Sequence, residues 1–191
     1  MLSRHLQNIL LNKKFDYIKS IENLSKQICV PKQSVLKKAI EEVIKSEKVF
    51  FIGRDYDYTT IKEAGLKLKE ITYINTAEHP AGELKHGFLS LVDNNSVVFV
   101  LATQKKLLNK TLNGAHEALA RGGKVILLSQ FNIPNEQTAG FLQKIKLQSF
   151  KEELMPITSI AYFQMLAYLT SIQKGLNPDQ PRNLAKSVTV E

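Results

Sequence analysis

The sequence predicts an α/β fold, a three-layer sandwich built on a mainly parallel sheet and preceded by a short helical segment. Three short apolar runs, at residues 49–53, 97–102 and 124–128, are typical of buried parallel strands. Patterns with helical spacing of apolar residues lie between these runs, at about 59–74, 82–92 and 104–121. Such alternation requires right-handed crossovers, which place helices on both faces of one sheet.

The first 48 residues predict helices. They contain no glycine and one proline, and their apolar residues recur at helical spacing. A residue before proline is biased away from helical backbone angles, so we expect a break near Val30 and Pro31. The apolar positions are Ile18, Ile21, Leu24 and Ile28 before this break and Val35, Leu36, Ala39, Ile40 and Val43 after it.

The C-terminal third predicts one more strand and a long helix. Residues 144–149 alternate between polar and apolar and indicate an edge strand. Threonine, serine and glutamine interrupt the apolar stretch at 155–176, which favours a buried helix over a membrane span. The apolar positions of this helix are Tyr162, Met165, Leu166, Leu169 and Ile172, and Gly175 is its predicted end.

The length of the sequence favours one domain of ordinary size. The 191 residues are divided here into a helical linker or subdomain at 1–48, an α/β domain at 49–176 and a tail at 177–191. The net charge of +8 comes from 26 basic and 18 acidic residues. Because the lysines are scattered among glutamates, we interpret this charge as a solvated basic surface and expect neither a nucleic-acid nor a membrane partner.

Cysteine content bounds the chemistry. Cys29 is the one cysteine, so the chain has neither an internal disulfide nor paired-cysteine zinc spacing. We expect a cytoplasmic protein without a metal site or a cofactor.

No Walker or G-x-G-x-x-G sequence supports nucleotide binding. Ligands of parallel sheets bind at the carboxyl ends of strands, which predicts a site near Arg54, Thr59 and the loop after Ala102.

Three charged residues share one face of the helix predicted after the first strand. Glu63, Lys67 and Glu70 stand at i, i+4 and i+7. Their spacing alone favours an ordinary surface salt-bridge ladder. A lone histidine such as His86 is more often structural, and a lone lysine such as Lys186 is more often solvated.

Longer motifs around these residues carry a resemblance. They are residues 63–73 (EAGLKLKEITY), 82–87 (GELKHG) and 179–191 (DQPRNLAKSVTVE). Together they resemble the second sugar-isomerase subdomain of the glucosamine-6-phosphate synthase family, which consists of glutamine-dependent amidotransferases with SIS domains. The resemblance covers about residues 49–191 and implies a Rossmann-like fold that acts on fructose 6-phosphate or glucosamine 6-phosphate.

The resemblance also implies roles for individual residues. It makes Glu70 the carboxylate that moves a proton between C1 and C2 of the sugar, with Lys67 holding it ionised. Lys186 would form a Schiff base with the ketone, because a lysine of lowered proton affinity attacks carbonyls. His86 would open the sugar ring in the active site of a neighbouring subunit, which implies a homodimer. Glu63 and Ala185 would contact substrate.

Three departures from the family limit what we expect of this chain. Phe88 follows Gly87 where the family usually has proline. The serine-rich phosphate loop of the first isomerase subdomain is absent, and the loop beginning at Leu101 could attract a phosphate by charge but lacks the packed hydroxyls and backbone donors of a nest. Glutamine hydrolysis in the family uses an amino-terminal cysteine, whereas this sequence has Met1. We therefore expect weak activity or none from this chain alone.

Two other hypotheses remain open from the sequence. Residues 21–40 have apolar positions compatible with a helix-turn-helix, which would suit a DNA-binding regulator that responds to sugar phosphates, although Cys29 occupies the turn. Alternatively, the chain is a separate paralogue that assembles with a partner bearing the phosphate loop.

Overall fold

The structure, a computed structural model, describes the backbone of residues 17–184 and the side chains of residues 21–184. These residues fall into two compact units, divided between Val30 and Pro31. The smaller unit contains helix α1 (Tyr17–Gln27). No described helix combines the length and hydrophobicity needed to cross a bilayer.

The larger unit is built on five parallel strands. Their order across the sheet is β2-β1-β3-β4-β5, and every described pairing is parallel. In chain order its elements are α2 (Gln33–Lys45), β1 (Lys48–Gly53), α3 (Tyr56–Thr72), β2 (Thr76–Pro80), β3 (Ser96–Ala102), α4 (Leu108–Leu119), β4 (Lys124–Ser129), β5 (Gln143–Lys146) and α5 (Met155–Gln173).

Helices and an irregular segment cover the two faces of this sheet. Alternate strand residues point to opposite faces, so Phe51 joins a core with α2, α3 and α5, whereas Phe50 joins a core with α4 and residues 81–92. Phe51 stacks on Phe99 with ring centroids 5.0 Å apart. The predicted three-layer α/β fold is confirmed.

Most predicted elements are confirmed within a few residues. The three buried strands, the β5 edge strand and the long C-terminal helix are present. The predicted break is also present, since α1 ends at Gln27 and α2 begins at Gln33.

The helix predicted at 82–92 is wrong. This segment forms turns followed by a short 3-10 helix, Phe88–Leu91. Gly87 has a φ of 117°, which is incompatible with a continuous α-helix. Strand β2 was not predicted, because an edge strand that contains glutamate, histidine and proline lacks the apolar run of a buried strand.

The second helix of the possible helix-turn-helix is part of the α/β unit. Helix α2 buries four apolar residues in the core beneath the sheet: Leu36, Ala39, Ile40 and Val43. Helix α1 belongs to the other unit. The DNA-binding hypothesis therefore has little structural support.

Candidate active site

The charged face of α3 is formed as its spacing predicts. Lys67 Nζ lies 2.8 Å from Glu70 Oε2 and 3.5 Å from Glu63 Oε1. The hydrogen bond to Glu70 is the main reason that the pKa of Lys67 is raised, and the charge of Glu63 adds to it. Lys67 therefore places a positive charge directly beside the Glu70 carboxylate. All three side chains keep solvent contact, so the cluster contributes little to stability.

Close packing fixes α3 on the sheet. Ile61, Ala64 and Leu68 are buried in the core, which turns the charged face outward. Gly65 touches β2 so closely that a Cβ there would lie 1.7 Å from Glu78 Oε1. Glu78 also forms an ion pair with Lys69, 3.1 Å away. The position of Glu70 is thus set by a helix that is anchored to β2 on one side and to the core on the other.

A buried carboxylate anchors the start of α3. Asp57 accepts hydrogen bonds from the backbone N–H of Thr103, at 2.8 Å, and from the Thr103 hydroxyl. Gln104 Nε2 donates to the carbonyl of Arg54 at 2.8 Å. Burial raises the pKa of Asp57 to about 6, although the hydrogen bonds from Thr103 oppose this effect. The structure thus joins Arg54 to the loop after Ala102, but this junction holds the scaffold and lies at the other end of α3 from Glu70.

The C-terminal segment docks at the end of α3. The backbone N–H of Arg182 donates to the Tyr73 hydroxyl at 2.8 Å, and the Arg182 guanidinium lies 4.1 Å from the centre of the Tyr73 ring. A shallow cavity of about 290 Å³, open to solvent, is lined here by Lys69, Glu70, Tyr73, Arg182, Asn183 and Leu184. Glu70 therefore shares a cavity with the segment that leads to Ala185 and Lys186, which themselves lie outside the described residues.

His86 is in a different layer. Its segment packs on the face of the sheet opposite α3, and its side chain is 76% exposed. The one described charged neighbour of the imidazole is Glu83, 3.6 Å from Nε2. Within residues 21–184, no hydrogen bond or ion pair joins His86 to Glu70. The structure therefore brings Glu63, Lys67 and Glu70 together and leaves His86 facing outward.

Phe88, which departs from the family pattern, has a packing role. It is buried, its ring meets Phe50 edge-on at 4.9 Å, and it lies 4.5 Å from the His79 ring. These contacts hold residues 84–89 against the sheet, so the turn that carries His86 has a fixed base.

Sequence reasoning missed Asp57, Tyr73 and Arg182. Their contacts join residues 46 and 109 positions apart in the chain, which no local pattern records. The one available signal was the motif itself, since Tyr73 and Arg182 both lie in the strings that carry the family resemblance.

Comparison with known protein families identifies the fold family. The sequence model of one family, the SIS domain, matches residues 42–173, which include every strand of the sheet. The chain belongs to the SIS domain family.

A similar aminotransferase is much longer than this chain. A glutamine–fructose-6-phosphate aminotransferase (isomerizing) from Caldanaerobacter subterraneus subsp. tengcongensis is 42% identical over 166 residues, which cover 86% of this chain and 27% of that protein. The chain thus spans about a quarter of the length of this relative.

Solved structures agree with this placement. The C-terminal domain of glucosamine-fructose-6-phosphate aminotransferase from Francisella tularensis superposes with a TM-score of 0.69 at 31% identity, covering 86% of this chain and 46% of that one. The sugar isomerase domain of an RpiR transcription factor from Sphaerobacter thermophilus gives a TM-score of 0.65 at 15% identity, covering 83% of this chain and 89% of that one. The second likeness shows a shared fold alone.

Proposed function

We propose that this SIS domain performs the sugar-isomerising step of a glutamine–fructose-6-phosphate aminotransferase, in which fructose 6-phosphate and ammonia become glucosamine 6-phosphate. The observation that carries the proposal is the cavity that Glu70 shares with residues 182–184. The aminotransferase relatives support the same reaction.

In this proposal Lys186 provides the covalent step. Its neutral amine attacks the C2 ketone of fructose 6-phosphate, the carbonyl oxygen leaves as water, and an imine links Lys186 to the sugar. Ammonia then displaces the lysine from this carbon. Ala185, next to the lysine, and Glu63 contact the substrate.

Glu70 then moves the proton. As a carboxylate it takes a proton from C1 of the ammonia-derived imine and returns that proton to C2, while the C1 hydroxyl gives up its proton and the imine nitrogen gains one. C1 thereby becomes an aldehyde and C2 carries an amine, which converts a ketose derivative into an aldose derivative. A base in this role must be ionised before each cycle. The Lys67 ammonium, which donates to Glu70 Oε2 at 2.8 Å, orients this carboxylate and limits its rotation.

His86 opens the sugar ring in the site of a neighbouring copy. Two observations support a shared site: the imidazole is largely exposed, and its segment lies on the opposite face of the sheet from α3. A homodimer that places one His86 beside the other chain's Glu70 would complete both sites.

A chimeric enzyme tests the proposal. The Caldanaerobacter aminotransferase would carry this chain in place of its own matching segment, and fructose 6-phosphate would be trapped on the protein by borohydride, which reduces the imine to a stable amine. We expect a sugar adduct at Lys186 by peptide mass mapping, and none in the Lys186→Arg chimera. A folded chimera that forms neither adduct nor glucosamine 6-phosphate would contradict the proposed function.

The chain by itself provides the second arm of this experiment. Because the phosphate loop of the family is absent from the sequence, we expect little adduct from the chain alone at micromolar concentrations. Efficient trapping by the chain alone would show that it needs no other subdomain.

A further inference from the structure

Tyr73 ends α3 in an unusual conformation. Its φ is 61°, in the left-handed region, and its N–H donates to the carbonyl of Lys69 at 3.1 Å. Glycine is the ordinary residue at such a helix end, because a side chain makes this conformation costly. The side chain at position 73 makes contacts that glycine could not make.

The hydroxyl and the ring of that side chain each contact Arg182. The phenol oxygen accepts the Arg182 backbone N–H at 2.8 Å, and the ring face lies 4.1 Å beneath the guanidinium. The first contact fixes the backbone of residue 182, and the second holds its side chain by a cation–π interaction. Asn183 follows with a φ of 61°, so the chain turns sharply directly after this contact.

The position of this contact limits where Lys186 can go. Lys186 is four residues beyond Arg182 in the sequence. Four extended residues span at most roughly 14 Å, which is the upper bound on the distance between Arg182 and Lys186. Glu70 is one turn before Tyr73 on the same helix and lines the same cavity as Arg182.

We propose that Tyr73 and Arg182 form a clamp that positions the C-terminal segment, so that Lys186 works within reach of Glu70. Both are positioning residues, and this inference rests on the proposed function of Lys186 and Glu70. Restricting a reactive group to the volume around its partner raises its effective concentration. The clamp spans 109 residues and thereby links the two motifs that carry the chemistry.

Three variants separate the two contacts. Tyr73→Phe removes the hydrogen-bond acceptor and keeps the ring, Arg182→Gln removes the cation and keeps the backbone N–H, and Tyr73→Leu removes both contacts. Tyr56→Leu is the matched control, because Tyr56 is an exposed tyrosine on the same helix. Arg182→Lys should partly rescue, since it restores a cation above the ring.

Hydrogen exchange of this chain, read by mass spectrometry on peptides from residues 179–191, tests the clamp without any assay of activity. We expect exchange in Tyr73→Leu to be roughly tenfold faster than in the unchanged chain, smaller increases in Tyr73→Phe and Arg182→Gln, and no change in Tyr56→Leu. Equal exchange in the unchanged chain, Tyr73→Leu and Tyr56→Leu would overturn the clamp.

Borohydride trapping in the chimera tests positioning. We expect Tyr73→Leu to lower the rate of adduct formation at Lys186 by roughly tenfold while the chimera stays folded, with partial recovery by Arg182→Lys relative to Arg182→Gln. Faster exchange with an unchanged trapping rate would refute positioning. If no variant of the chimera forms an adduct, the proposed function fails, and the exchange experiment still decides whether the clamp exists.

Discussion

The two sides of the sheet carry candidate catalytic groups in different ways. On the α3 side, Glu70 has a cationic neighbour 2.8 Å away and shares a cavity with the C-terminal segment. On the opposite side, His86 is 76% exposed and has one carboxylate 3.6 Å away. The α3 side is thus organised within one chain, whereas the His86 side presents its functional group outward. A site shared between two copies would need such a difference. Variants on each side of the sheet can test whether the site is shared.

The largest effect is expected on the α3 side. Glu70→Gln keeps the size and polarity of the side chain but removes its ability to accept a proton from carbon. We expect kcat of the chimera to fall about 10²- to 10⁴-fold, the usual contribution of a positioned general base. The measurement is steady-state formation of glucosamine 6-phosphate.

Glu136→Gln is the control for this prediction, because Glu136 is an exposed carboxylate in the 3-10 helix Asn135–Thr138. It should leave kcat unchanged. If Glu70→Gln also retains kcat, the α3 side holds an ordinary surface ladder, as its spacing alone indicates.

Mixing two inactive variants tests the His86 side. If each site combines Glu70 of one chain with His86 of the other, a mixed dimer of Glu70→Gln and His86→Asn chimeras has one intact site and one doubly altered site. Random mixing makes half of the dimers mixed, each with half of its sites intact, so activity should recover to about a quarter of the unchanged value. The readout is activity after the two variants are unfolded and refolded together.

The same mixture has a clear negative outcome. If His86 acts on the Glu70 of its own chain, no mixed dimer contains an intact site, and activity stays at the level of the separate variants. Glu70→Gln mixed with Lys186→Arg serves as a control, since it establishes whether Glu70 and Lys186 come from one chain.

The pH dependence of the free energy of unfolding tests the role of Asp57 at the start of α3. The pKa of Asp57 is raised from 3.8 to about 6, so the folded state binds the proton more tightly than the unfolded state between these pH values. Stability from this group is therefore present below pH 4 and is lost as pH rises toward 6. At about 1.4 kcal/mol per pKa unit, the loss approaches roughly 3 kcal/mol.

Asp57→Asn isolates this effect. The amide can accept from the Thr103 N–H and donate to the Thr103 hydroxyl, so both hydrogen bonds persist without a charge. Urea unfolding at pH 4 and pH 6.5 should show that the free energy of unfolding of the unchanged chain, relative to Asp57→Asn, is lower at pH 6.5. Parallel pH profiles of the two proteins would mean that Asp57 keeps an ordinary pKa in the fold.

Local sequence patterns predicted some parts of this structure and not others. Apolar runs and helical spacing were sufficient for the buried strands and most helices, because burial on both faces leaves a local signature. They failed at β2, a polar edge strand, and at Gly87, whose backbone angle ends any helix. The face of Glu63, Lys67 and Glu70 followed from spacing, but the cavity beside it did not, since it depends on a contact between Tyr73 and Arg182.

The smallest effect concerns Asp55, which connects β1 to α3. Its φ of 50° and ψ of −119° lie in a region that favours glycine, and its side chain makes no capping hydrogen bond. Asp55→Gly should therefore stabilise the protein by about 0.5–1 kcal/mol, because relief of strain exceeds the added freedom of the unfolded chain and the lost charge at the helix start. Asp55→Ala is the matched comparison, since it removes the carboxylate and keeps the strained Cβ. Thermal unfolding should rank glycine above both aspartate and alanine; equal melting temperatures for glycine and alanine would show that the backbone at this junction is unstrained.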